Sequence, residues 1–485
     1  MIPYGHWHPD AQTINGSMML EAVNVLPTVQ GFRPLKAPVA VSSALAGECR
    51  GAATVVKDDG SGKSYAGTQT GLYELASDLS WTEITRSSGG DYLTGAGERW
   101  RFATFGDNVI ATNYADDVQK ASIASGGNFQ ALGGSPPRAR YVDVMRDFVV
   151  LAGINGNENR LQWSALNNVE GWTAGTASSD WQDIPTGGPI QGYIGGEVGY
   201  VMQRSRVTRQ IYLPGSEAIM QFDEVEGGRG LVAPNSLIRL GQEAFYLSSN
   251  GFYRMDLGSG SARPIGIGKW QRWFLDDLKA GTGLFVLGAV SPQNSALLWA
   301  YVSKSSPSTT IPDKVLIYDW SIDEAAIAEF SVQALASWLT AGVTLDGMNT
   351  YGTLDTLPVS LDSSFWKGGA PLVGIINSDN KLAHFEGTNL EARFVTADGQ
   401  RDGRRTLIEG IRPHVDTRSV TVEVAAREGD GDTVSFNASE SMEDTGIVPA
   451  WASGNLARAR IKIAAGASWT YAKGMSTEIS DAGSR

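Results

Sequence analysis

The stretch Ala244–Asp256 reads AFYLSSNGFYRMD, two aromatic runs on either side of Asn250-Gly251. Short apolar runs with a period near two, broken by turn residues, read as strands rather than helices. Asn-Gly suits a type I′ hairpin, whose two central residues both need φ > 0. The same grammar recurs along the chain. Leu284–Val290 (LFVLGAV) and Ala296–Val302 (ALLWAYV) form a hairpin across SPQNS, and Val315–Trp320 (VLIYDW) supplies a third strand. Phe148–Ala152, Asn155-Gly156 and Arg160–Ser164 make a similar unit.

The first strands of such units start near Ala52, Phe102, Tyr141, Gly192, Leu237 and Leu284, at intervals of 50, 39, 51, 45 and 47 residues. That spacing is too short for independent domains and matches the roughly 40–50 residues of a four-stranded propeller blade. One such sheet cannot bury both faces alone, so neighbours must stack around an axis. The expected fold class is therefore all-β: a β-propeller over residues 36–387. After about Gly387 the spacing is lost. Glu391–Thr396, Arg404–Ile411, Ser419–Ala426 and Leu456–Ala464 alternate without it and predict a smaller C-terminal antiparallel, sandwich-like β domain over 388–485. Val420, Val422 and Val424 share one face there, as do Ala457, Ala459, Ile461 and Ile463, while Arg458, Arg460 and Lys462 point the other way. Residues 1–35 carry little pattern and read as an N-terminal arm. Trp270–Lys279 and Ser321–Phe330 are the only plausible helical pieces.

Composition narrows function. The 485 residues include 58 glycines, which in this pattern serve turns and closely packed strands rather than disorder. A single Cys49 excludes an intramolecular disulfide and a cysteine-based zinc site. A net charge of −13 argues against a conventional nucleic-acid binder, which carries a basic face. The opening MIPYGHWHPDAQTING has neither a basic start nor an apolar core, so no secretory signal is expected. No run reaches the roughly 18 consecutive apolar residues of a membrane helix.

Each motif that catches the eye has a plainer reading. Asp58–Ser64 (DDGSGKS) hints at a phosphate loop, but Lys57 stands where its first glycine belongs, and a surface hairpin turn is favoured. His6-Trp7-His8 has no carboxylate or third histidine at useful spacing, so an exposed arm is preferred to a metal site. His384 and His414 read as satisfied structural histidines. Around Trp81 the Asp-box spacing of propeller hydrolases fails, with Asp78 where glycine belongs and Glu74 in place of the first serine. No nucleophile elbow and no close carboxylate pair is evident. Arg401-Asp402-Gly403-Arg404-Arg405 reads as a charged hairpin turn, with an acidic partner or DNA as the functional option. Trp163, Trp172 and Trp181 could stack carbohydrate, though tryptophans on blade strands are more often core. The expectation is no enzyme and no catalytic, metal or cofactor residue.

Several motifs together resemble a known family. Asn24–Pro38 (NVLPTVQGFRPLKAP), Leu161–Trp172 (LQWSALNNVEGW), Gly227–Pro234 (GGRGLVAP), Glu243–Asp256 and Arg263–Lys269 (RPIGIGK) are similar to segments of tail nozzle or tail hub proteins of short-tailed bacteriophages, also called packaged-DNA stabilisation proteins. Arg404–Pro413 (RRTLIEGIRP), Ala426-Arg427, Gly454–Ile463 and Ala465–Trp469 (AGASW) followed by Gly474 resemble their C-terminal module, with Asn455-Leu456 departing from a usual Gly-Arg-Tyr. The resemblance implies a structural virion protein, made in the host cytoplasm and forming a homo-oligomeric ring, typically a hexamer. Such a ring continues the portal and adaptor channel, contacts tail fibre or needle proteins, retains packaged DNA and lets double-stranded DNA pass on ejection. It implies no membrane insertion and carries no cofactor. The competing expectation is a glycan-binding or glycan-cleaving propeller used in host attachment.

Overall fold

Strand after strand in the middle of the chain pairs antiparallel with its sequence neighbour, because each apolar run is followed by a turn too short to reach anywhere else. The structure, a computed structural model, describes residues 2–11, 14, 16–56, 62–339, 361, 371–400 and 404–481. Among them the fold is all-β, and seven four-stranded antiparallel units can be followed, six as separate sheets and one, Leu287–Ser291, Ala296–Tyr301, Lys314–Asp319 and Glu324–Glu329, as one end of a nine-stranded sheet. The first strands are Ala52–Val56, Arg101–Phe105, Ala139–Met145, Ile190–Ile194, Ile238–Leu240, Leu287–Ser291 and Ala334–Leu339. The first six lie close to their predicted starts, and the seventh was not anticipated. Its second and third strands are Pro371–Ile376 and Lys381–His384, and its fourth is Val39–Ala44, from ahead of the first unit.

Apolar clusters join each unit to the next. Val55, Tyr65 and Leu72 pack with Val109 and Ala111. Ile110 and Val118 pack with Val149 and Leu151, Phe148 and Val150 with Val201 and Met220, and Tyr200 and Met202 with Tyr246 and Met255. Phe252 and Trp299 continue the series, as do Leu298 and Ile317 with Ile375 and Ala383. Finally Trp338 and Ile376 of the seventh unit meet Ala66 and Tyr73 of the first. Each large apolar side chain so buried contributes about 1.5–3 kcal/mol, so these seams hold the units together. Glycine is needed where they are tightest: a Cβ at Gly67 would run into the Trp100 ring.

The hairpin at 244–256 forms with a register one residue off the expectation. Ser248 pairs with Gly251, leaving Ser249-Asn250 at the tip, and of the Asn-Gly pair only Gly251 has positive φ (125°). The glycine answers a different demand, since a Cβ there would collide with the Gln271 side chain. Gln271 opens the α-helix Gln271–Asp277, which falls within the predicted Trp270–Lys279. The other helical expectation is corrected. Within Ser321–Phe330, Glu324–Glu329 is a strand. Its alanines favour a helix in isolation, but Lys314–Asp319 on one side and Met19–Val23 on the other supply pairing partners, and Ala325–Ala328 are buried.

Residues of the first 35 do not hang free, which corrects the arm expectation. Met19–Val23 lies between Glu324–Glu329 and Ala392–Thr396 in a nine-stranded sheet completed by Leu456–Ile463, Val420–Arg427 and Glu440–Ser441. Val25–Thr28 and Gly31–Pro34 form a hairpin in a second sheet with Ala472–Asp481, Thr406–Val415 and Val448–Gly454, and Ile2–Pro3 pairs with Ala472–Asp481. The two sheets share a core containing Val422, Ile461, Phe394, Phe32, Ile411 and Val448. The missing pattern has a simple cause: these strands are two to five residues long, and Met19–Val23 and Val25–Thr28 bury successive residues on both faces.

Candidate functional site

Charged side chains gather where the first strands begin. Arg101 opens the first strand of the second unit, Arg140 and Tyr141 belong to that of the third, and Gln191 to that of the fourth. Together with Glu98, Arg99, Glu158, Asn235 and Leu284 they line a cavity of about 180 Å³. Side chains reach across it. Arg101 Nη2 donates to Asn235 Oδ1, and Asn235 Nδ2 donates to the Leu284 carbonyl, tying the second unit to segments ahead of the fifth and sixth.

The charges are not evenly matched. Arg140 donates to both oxygens of Glu98 at 3.0–3.1 Å through Nε and to Glu158 at 3.2 Å through Nη2, and its guanidinium lies 4.1 Å from the Tyr114 ring centre. Burial pulls its pKa down, but the hydrogen bonds and attraction of Glu98 outweigh this and raise it. Both carboxylates are thereby engaged. Arg99 is 7% exposed and donates through Nη1 only to the Ala96 and Glu98 carbonyls, while its Nε has no partner. Neither Arg99 nor Arg101 has an ion pair within 4.0 Å among the described residues. Burial lowers the pKa of both. Tyr141, 5% exposed, also ends in a hydroxyl without a partner, and burial raises its pKa so that it stays a donor. Sequence reasoning missed this cluster. The available signal was Glu98-Arg99-Trp100-Arg101, charges set about a buried tryptophan at the start of a first strand.

The motifs singled out by sequence are dispersed. Of DDGSGKS, residues 58–61 lie outside the described residues. The flanking strands pair antiparallel, Val56 opposite Gly62, and Lys63 binds Glu74 at 2.9 Å, the context of a hairpin turn. His6-Trp7-His8 is not an exposed arm: Trp7 is 1% exposed, and a carboxylate distant in sequence arrives. His8 Nε2 lies 2.8 Å from Glu324 Oε2, His6 Nδ1 lies 3.8 Å from it, and Lys269 Nζ donates to Glu324 Oε1 at 2.9 Å. Burial pushes the Glu324 pKa up, but bonds from His8 and Lys269 hold it below the usual range. Lys269 occupies one carboxylate oxygen, and among the described residues no group of three or more His, Cys, Asp or Glu is placed to hold a metal. His414 meets Ser476 Oγ at 2.8 Å. His384 is buried beside the Val373 carbonyl, and burial lowers its pKa to about 4.

Asp78 accepts from Ser80 N and Oγ, a local turn that leads into Trp81. Residues 401–403 lie outside the described residues, and Arg405 pairs with Glu428 at 3.1 Å. Trp163 and Trp172 are buried, whereas Trp181 is 42% exposed with the Arg160 guanidinium 3.8 Å from its ring centre. Arg458, Arg460 and Lys462 do face away from the core but have internal partners: Arg458 and Arg427 bind buried Asp398, and Arg460 and Lys462 bind Glu423. No described helix is long and apolar enough to cross a membrane.

No family model matches the chain, and no curated protein matches it. Among solved structures it is similar to the extracellular domain of a putative hybrid two-component system from B. thetaiotaomicron, with a TM-score of 0.37 and 10% identity over 64% of this chain. The match spans 42% of that structure's chain, and at this level it carries no argument about fold or function.

Proposed function

We propose that the chain is a seven-bladed β-propeller, over residues 36–387, with a terminal β domain of 388–485 completed by strands from residues 2–34, and that it is a structural subunit of the ring-shaped tail nozzle of a short-tailed bacteriophage. The observation that carries this reading is the seventh unit, which takes its fourth strand, Val39–Ala44, from ahead of the first unit and packs on Ala66 and Tyr73 of that unit. A strand borrowed across the ends of the repeat fastens a ring, and radial repetition leaves only short, protected sheet edges. The bond from Arg101 to Asn235, spanning a cavity lined by several units, supports the same geometry. The motifs resembling nozzle proteins run through both parts of this architecture.

In that role the work is mechanical. Copies associate head to tail, a contact type that closes into a ring when the rotation permits. Six copies would surround a channel continuing those of the portal and adaptor. The chain's charge of −13 makes a channel wall that repels phosphates, so DNA slides rather than sticks. Retention then depends on a steric gate rather than a charge clamp. The test is to assemble phage particles without the chain. Heads that fill and then lose their DNA are expected, and heads that stay full without it would contradict the proposal. Binding of the purified protein to duplex DNA at moderate salt tests the channel: weak binding is expected, and tight binding would sink the repulsive wall.

A further inference from the structure

We propose that the cavity at the start of the first strands is a binding site for a small oxyanion, a carboxylate or a phosphate, held by Arg99, Arg101 and Tyr141. A buried guanidinium is costly unless an anion or a full set of acceptors compensates it. Arg140 shows the compensated case in the same cavity, with Glu98 and Glu158 both bound to it. Arg99, buried, and Arg101, half-buried, have no carboxylate within ion-pair distance among the described residues, and Glu48 and Glu98 act on them only from farther away. The partners of these two arginines are neutral, two carbonyls and one amide oxygen. Counting the charged lining residues, three arginines face two glutamates, both of which are already engaged.

Two donors make this a site rather than a mere surplus of charge. The Arg99 Nε–H and the Tyr141 hydroxyl are both more than nine-tenths buried and without partners, and both residues line the cavity. Such donors are rare in folded proteins, where buried polar groups are almost always paired. Guanidinium groups match planar or tetrahedral oxyanions through paired N–H bonds, and a phenol adds one more donor. A cavity of about 180 Å³ is ample, because a water molecule's share of liquid volume is about 30 Å³. The walls come from several units packed on one another, so the donors are held in place before the ligand arrives. The site stands independently of the nozzle reading.

The test is thermal unfolding and calorimetric titration of the full chain with sodium phosphate and with sodium acetate, each against sodium chloride at equal ionic strength. A saturable rise in Tm beyond chloride is expected with at least one of them. A response to phosphate alone identifies a tetrahedral ligand, and one to acetate alone a carboxylate. Tyr141→Phe keeps the ring and removes the stranded hydroxyl, so its Tm without ligand should equal or exceed that of the parent while affinity falls about tenfold, as loss of one charge-assisted bond implies. Arg101→Gln should weaken binding by at least as much. Equal Tm shifts in all three salts, or shifts unchanged in both variants, would overturn the proposal.

Discussion

The seven four-stranded units and the terminal β domain use the same strands and turns but close in opposite ways. In the units, nearly every strand pairs with its neighbour in sequence, and among the described residues only Val39–Ala44 arrives from a distance. In the terminal domain, Ile2 pairs with Met475, Met19 with Thr396, and Gly31–Pro34 with Ala472–Asp481. Local hairpins need little loop closure, whereas pairing across most of the chain requires it to be almost fully arranged first. The units are therefore expected to form step by step, with the terminal domain completed last. Its nine-stranded sheet also includes the sixth unit, so the two regions share a core around Trp299, Tyr318 and Phe394.

Deleting residues 1–35 attacks that difference most strongly. It removes Met19–Val23 from the middle of the nine-stranded sheet and a hairpin from the other sheet. We expect loss of cooperative unfolding and rapid proteolysis after residue 387, with strand signal from the units partly kept, as read by limited proteolysis and circular dichroism. A fully stable, protease-resistant truncation would break the comparison. Next comes Phe394→Ala in the shared core. Phe394 is fully buried, with Tyr4 and Phe32 ring centres 5.5 and 5.2 Å away. A loss of about 3–5 kcal/mol is expected in denaturant unfolding.

His384 tests the closing unit through pH. Its folded pKa is lowered to about 4 from 6.5, so the unfolded chain binds the proton more readily. Its contribution to stability is full above pH 6.5 and is lost as pH falls from there toward 4, by about 3 kcal/mol in all. His384→Gln should flatten that part of the stability profile, measured by chemical denaturation across pH 4–7. The smallest effect belongs to Trp181→Ala. The ring is partly exposed and held by Arg160, so we expect less than about 1 kcal/mol, within the range of exposed cation–π pairs. Glycan-array binding that is present in the parent and lost in this variant would favour the attachment reading instead.

Legibility in the sequence follows the same division. Ala52 and five later strand starts could be read because each unit repeats a local code of apolar run and turn. Met19–Val23 could not, since it is short and buries the adjacent Ala22 and Val23, one on each face, which erases the alternation. Glu324–Glu329 was misread because its alanines speak for a helix until two neighbouring strands are known. The run Glu98–Arg101 marks one wall of the cavity, but its meeting with Tyr141, like that of His8 with Glu324, joins elements that only the tertiary packing brings together.

The measurement that bears most directly on the proposed role is end-on electron microscopy of the purified full-length protein and of assembled tails, with class averages taken without imposed symmetry. Six copies around an open central channel are the expected result. A protein that stays monomeric at high concentration and occupies no ring in the tail would contradict the account.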